Sequence, residues 1–118
     1  MNLPQAMALC RAMPGAREDE KWGGTQVFTI GLKMFALVSH GRGEARLSFK
    51  VEDGRFLELT DRPGIVPAPY LARAKWVQIT APEALDDREA AALLQRAYQL
   101  VFSKLTKKLQ RDMEGQEK

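Results

Sequence analysis

A chain of 118 residues, 45% hydrophobic and 28% charged, is sized for one domain and can build a core without disulfides or a structural metal. One cysteine and one histidine exclude an internal disulfide framework and any zinc site of three or four His/Cys ligands. No apolar run approaches the ~18 residues of a membrane span and no basic-then-apolar leader is present, so the cytoplasm is the expected compartment.

The pattern predicts a first helix over residues 3–13. Asn2 can cap it, Pro4 is tolerated in its first turn, and Leu3, Ala6, Met7, Cys10 and Met13 share one face. Cys10, inside that apolar stripe, is expected as a small buried hydrophobe rather than a nucleophile. Pro14-Gly15 ends the helix, and the polar residues 16–21 are expected at the surface. The Glu18-Asp19-Glu20 run could attract a cation, but flanked by Arg17 and Lys21 it reads more simply as solvated.

Residues 26–30 and 33–39, rich in Val, Phe, Ile and Leu, suit two strands. Gly31-Leu32 between them meets the glycine requirement of a type II′ hairpin turn, and His40-Gly41-Arg42-Gly43 supplies a second turn. In a third strand over 44–51, Ala45, Leu47, Phe49 and Val51 alternate with Glu44, Arg46, Ser48 and Lys50. That alternation predicts one buried and one wet face, as antiparallel hairpins allow. A short helix over 54–60, capped by Asp53, precedes another strand over 75–80. A long final helix follows, with Asp86 and Glu89 spaced as a capping box. Its apolar positions run from Ala90 to Leu105, and Arg96, Lys104, Lys107, Lys108 and Arg111 lie on its later turns. The tail from Asp112 is expected to fray. The order predicts an α+β fold, with both terminal helices on one face of an antiparallel sheet and the other face at least partly open.

Between short helix and last strand, residues 62–77 gather three of the six prolines, one of two tyrosines and one of two tryptophans. Repeated prolines make a stiff, extended track. Such a track can hold Arg62, Tyr70, Arg73, Lys75 and Trp76 ready for a ligand. It can equally be pinned to the core by Tyr70, Leu71 and Trp76. Charge is uneven along the chain. Residues 1–61 balance at eight basic and eight acidic groups, 62–111 carry nine against four, and the last seven return −2, for a net +3. The basic half favours an anionic partner over a cationic one.

No catalytic constellation emerges. His40 sits in a glycine-rich turn, there is no P-loop, Gly41-Arg42-Gly43 is too short for a dinucleotide fingerprint, and no carboxylate pair is singled out by its surroundings. The expectation is therefore a binding protein with no catalytic residue, cofactor or metal. Nucleic-acid binding needs cations for phosphate and aromatic platforms for unstacked bases. Arg46, Lys50, Arg62, Arg73 and Lys75 supply the first, Tyr70 and Trp76 the second. A protein- or peptide-docking module and a small-ligand protein with a pocket under the proline segment are the alternatives.

Six stretches carry a resemblance: Met-Pro-Gly-Ala-Arg-Glu at 13–18, Val-Phe-Thr-Ile-Gly-Leu-Lys-Met-Phe-Ala-Leu at 27–37, Leu-Ser-Phe-Lys at 47–50, Pro-Gly-Ile-Val-Pro-Ala-Pro-Tyr-Leu at 63–71, Lys-Trp-Val at 75–77 and Ala-Tyr-Gln-Leu-Val-Phe-Ser-Lys-Leu-Thr-Lys-Lys at 97–108. In this collinear order the chain resembles the MmcQ/YjbR family of small bacterial proteins. Gly31-Leu32-Lys33 stands where many relatives have Gly-Gly-Lys. The resemblance implies one domain over 1–118 with a CyaY-like, double-wing fold, and a DNA-binding role attached through likeness to a wing-like phage transcription-factor domain. It assigns no catalytic residue. The same fold is shared with frataxin, but iron handling would want an acidic first helix, and residues 3–13 contain no Asp or Glu. The expectation is a monomer that binds DNA, or else a protein partner, and no membrane.

Overall fold

The computed structural model describes residues 1–40 and 44–114. Helix α1 (Leu3–Arg11) starts at a full capping box: the Asn2 side chain accepts from the Gln5 amide at 2.8 Å, and Gln5 Oε1 accepts from the Asn2 amide at 3.0 Å. Ala6 and Cys10 are buried, as the stripe predicts. After Pro14-Gly15 the polar run becomes strand β1 (Arg17–Lys21), exposed along its whole length. No alternation marks it. It forms because its backbone pairs with β2 (Thr25–Ile30) from Arg17↔Thr29 to Lys21↔Thr25, and its charges suit an edge that must not recruit another strand.

Strand β2 turns into β3 (Lys33–His40) through Gly31 (φ +57°) and Leu32 (φ +71°). Two left-handed central residues make a type I′ turn, correcting the type II′ expectation. A Cβ on Gly31 would come within 2.8 Å of Leu105, so the hairpin tip also needs glycine for space. The turn expected over 40–43 lies mostly outside the described residues. Strand β4 (Ala45–Lys50) is followed by helix α2 (Asp53–Thr60), whose cap position is Glu52, not Asp53, and whose first turn receives no hydrogen bond from the cap side chain.

The proline segment contains a strand of its own, β5 (Ile65–Pro67), which pairs with β6 (Trp76–Ile79). Because β6 inserts beside β4, the fully antiparallel sheet runs β1-β2-β3-β4-β6-β5, with β5 as the edge that tolerates proline. Helix α3 (Asp87–Phe102) is capped by Asp86, which accepts from the Glu89 amide at 2.7 Å. The expected single long helix instead stops at Ser103, and α4 (Lys107–Glu114) starts afresh. The break lets Leu105 fold down onto Gly31, while Gln110 Nε2 donates to the terminal carbonyls of Phe102 (3.1 Å) and Leu105 (3.0 Å).

Helices α1 and α3 pack together, and α3 lies across β2, β3 and β4 on one sheet face. The main core joins Phe28, Phe35, Val38, Phe49 and Val77 from the sheet to Cys10, Leu94, Ala97 and Val101 from the helices. The Tyr98 hydroxyl donates to the Pro14 carbonyl, and its ring meets Phe35 edge-on at 5.5 Å. Outside, Arg11 holds Glu18, Arg96 holds Glu52 at 3.0 Å, and Arg62 bridges Glu58 and Glu89. The opposite face carries a smaller cluster, Val27, Leu37, Ala68 and Trp76.

Candidate functional site

The period of two along each strand puts Thr25 and Val27 of β2, Leu37 and Ser39 of β3, Ser48 of β4 and Gln78 of β6 on the face away from the helices. Residues 68–76 arch over part of that face. The arch is closed by hydrogen bonds from the Ala68 amide to the Trp76 carbonyl (3.0 Å) and from the Leu71 amide to the Ala68 carbonyl (3.1 Å). A 3₁₀ turn, Ala72–Ala74, then ends at left-handed Lys75. Trp76 tucks beneath the arch, 4% exposed, against Val27, Leu37 and Ala68.

Beside the buried tryptophan the arch leaves a cavity of about 520 Å³, inside the ~300–1,000 Å³ range of small-ligand pockets. Leu37, Met34, Ala68 and Leu71 make most of its surface apolar. Two aromatic side chains stand at its mouth: Tyr70 from the arch, fully exposed, and Trp22 from the β1–β2 turn, 70% exposed. Both occupy the left-handed region, Trp22 at φ +51° and Tyr70 at φ +66°. Bulky residues avoid that region, and such strain persists where surrounding structure imposes it. Ser48 and Gln78 line the cavity as well, at 2% and 8% exposure the buried polar side chains among the described residues.

The basic groups expected at this face divide sharply. Arg46 is exposed beside the cavity, its Nη1 donating to Gln78 Oε1 at 3.4 Å. Arg73 is exposed on the arch. Lys50 shares the face but is committed to the arch, donating from Nζ to the Ala74 carbonyl at 2.7 Å. Its burial, and then the charge of Lys104, lower its pKa. Lys75 is half-buried with Nζ 5.1 Å from the Phe56 ring centre. Arg62 lies elsewhere, its guanidinium held at 2.9 Å by Glu89 and 3.0 Å by Glu58, bonds that raise its pKa. Glu89 is thereby taken from the capping box it would complete. Tyr70 is available for stacking; Trp76 is not, because it is buried in the small cluster.

Register adds Arg17 and Lys21 of β1 to the same face, with Asp19 as the acid between them. Among the described residues no ion pair involves Arg17, Lys21, Arg46, Lys50, Arg73 or Lys75, whereas Glu18, Glu52, Glu58 and Glu89 are all paired with arginines. The site thus gains Trp22, Ser48 and Gln78 over the sequence reading. An exposed tryptophan in a Trp-Gly-Gly turn was a usable signal for the first. Ser48 sat correctly on the polar side of β4, and only the arch makes it buried. Among the described residues no helix is long and apolar enough to cross a membrane, and no group of His, Cys, Asp and Glu could hold a metal ion.

The family model of YjbR matches residues 11–100. Among solved structures, the chain is similar to Deinococcus radiodurans protein DR2400, described by the domain DUF419, at 26% identity and TM-score 0.81, covering 96% of this chain and 88% of that one. It is also similar to a Pseudomonas syringae structural-genomics protein at 21% identity and TM-score 0.70, covering 86% and 99% respectively, a likeness of fold. No curated protein matches it.

Proposed function

From the premise that the chain belongs to the YjbR family, we propose that it is a nucleic-acid-binding protein that takes unpaired DNA on the open face of its sheet and performs no reaction on it. Arg46, Arg73 and Lys21 meet phosphates, and Trp22 and Tyr70 stack on bases. The supporting observation is the placement of two exposed aromatic side chains on a face whose cations have no ion-pair partner among the described residues. Aromatic platforms beside a basic surface suit single strands, whose bases present their faces. An intact duplex keeps those faces stacked.

Fluorescence anisotropy with a labelled thymidine decamer and its duplex, over 50–300 mM salt, tests the reading. Contact with about three phosphates predicts a log–log salt slope of about −2 for the single strand. Charge reversal of Arg46 should weaken binding and flatten that slope. A salt-independent signal, or no binding at micromolar protein, overturns the proposal. A second reading, a small flat apolar ligand, is favoured by the cavity's volume and largely apolar wall. It predicts thermal stabilisation by such compounds without any affinity for the decamer.

A further inference from the structure

A cavity meant only for apolar matter would have no use for a polar floor. Ser48 and Gln78 face each other directly across the β4–β6 pair and both line the cavity. Gln78 Oε1 is engaged by Arg46, which orients the amide and leaves its N–H donors unengaged among the described residues. The Ser48 hydroxyl has no hydrogen-bond partner among the described residues. Nor is any fully enclosed side-chain polar atom there left without one, so that hydroxyl opens onto the cavity. A hydroxyl and an amide N–H that open into a cavity are placed to pair with the polar edge of whatever occupies it. The apolar wall and the aromatic pair at the mouth suit a flat ring; the hydroxyl and amide suit its hydrogen-bonding edge.

We propose that Ser48 and Gln78 read the edge of one nucleobase inserted into this cavity between Trp22 and Tyr70, with Arg46 beside Gln78 on the attached phosphate. The inference rests on the nucleic-acid reading above and deepens it. The same chemistry could come from an unstacked base of a strand or from a free nucleotide. In either case the hydroxyl, as donor or acceptor, and the amide N–H, as donor, complement a base that carries an acceptor beside a polar hydrogen.

The test uses the whole protein with three probes: a thymidine decamer, a decamer of abasic deoxyribose phosphate of equal charge, and the four deoxynucleoside monophosphates. The intact decamer should bind roughly tenfold or more tighter than the abasic one, the gain expected of a stacked, captured base. Ser48→Ala should erase much of that difference while leaving abasic binding and the salt slope unchanged. In the unaltered protein, the Gln78 side-chain amide resonances should shift on adding monophosphate, a readout that needs no variant. A preference for the intact decamer that Ser48→Ala leaves unchanged, with a still Gln78 amide, overturns base capture and leaves the strand reading standing. Equal affinity for both decamers overturns base capture and the stacking by Trp22 and Tyr70 together. Monophosphates that bind and move Gln78 while neither decamer binds support base capture and overturn the strand reading. Absence of binding by all three probes overturns both.

Discussion

Tyr70 and Trp76 are six residues apart in one proline-rich segment, yet truncating them should have opposite consequences. Trp76 is 4% exposed and holds the arch to Val27, Leu37 and Ala68. Removing so large a buried ring costs about 3–5 kcal/mol, transfer and cavity together. For a chain of 118 residues the unfolding entropy is about 0.25 kcal/mol per kelvin, from ~2.1 cal/mol/K per residue. Trp76→Ala should therefore lower Tm by roughly 12–20 °C. Tyr70 is fully exposed, so Tyr70→Ala should stay within about 0.5 kcal/mol, or about 2 °C. Its cost should fall on binding, where a stacked base is worth ~1–3 kcal/mol, or roughly 5- to 150-fold in affinity for the thymidine decamer. Circular-dichroism melts and anisotropy titrations on the two variants measure both effects. A Tyr70→Ala loss above about 6 °C, or a Trp76→Ala loss below about 4 °C, would refute the assignment of one side chain to the core and the other to the surface.

Gly64 sits at φ +90°, and a Cβ there would meet the Ala81 and Ala84 Cβ atoms at 2.8 and 2.9 Å, while its carbonyl is held by the Thr80 amide at 2.8 Å. Gly64→Ala should lose about 2–4 kcal/mol from backbone strain and overpacking. Gly54, helical with open space around it, should gain ~0.5–1 kcal/mol on the same change; urea unfolding of both variants distinguishes a positional effect from a general one. Arg11's hydrogen bond to Glu18 holds that carboxyl below its ordinary 4.5, against a smaller opposing effect of burial. A carboxyl depressed in the fold contributes fully above 4.5 and loses its contribution as pH falls through the folded pKa. Melts from pH 7 to 3 should therefore be flat and then fall, and Glu18→Gln should reduce the fall; an unchanged profile would discount the pair. Burial pushes the Cys10 thiol up to about 12 from 9.0, so stability should decline as pH rises past 9. At pH 8 a disulfide reagent should label Cys10 only as fast as the protein unfolds, and immediate labelling would show an open site.

Local chemistry carried much of the fold. The Asn2 and Asp86 caps, the alternation in β4, the glycine at the β2–β3 turn and the helical stripe of α3 each concern residues within a few positions of one another, where short-range sterics and periodicity decide. The family, too, was legible in collinear stretches. What the chain could not announce locally was decided by distant partners. The polar residues 17–21 form a strand because β2 offers a backbone to pair with, and Ile65–Pro67 form one because β6 does. The last helix breaks where Leu105 meets Gly31, more than seventy residues away in sequence. The site obeys the same division. Sequence determined that Tyr70 and Trp76 share a stiff, basic segment and that Arg46 and Ser48 share the polar face of a strand. Only the tertiary structure decided which ring is buried and which serine is covered. Burial belongs to whatever the chain folds over a residue, and here the arch of 68–76 hides Trp76, spends Lys50, and turns Ser48 and Gln78 into the floor of a cavity.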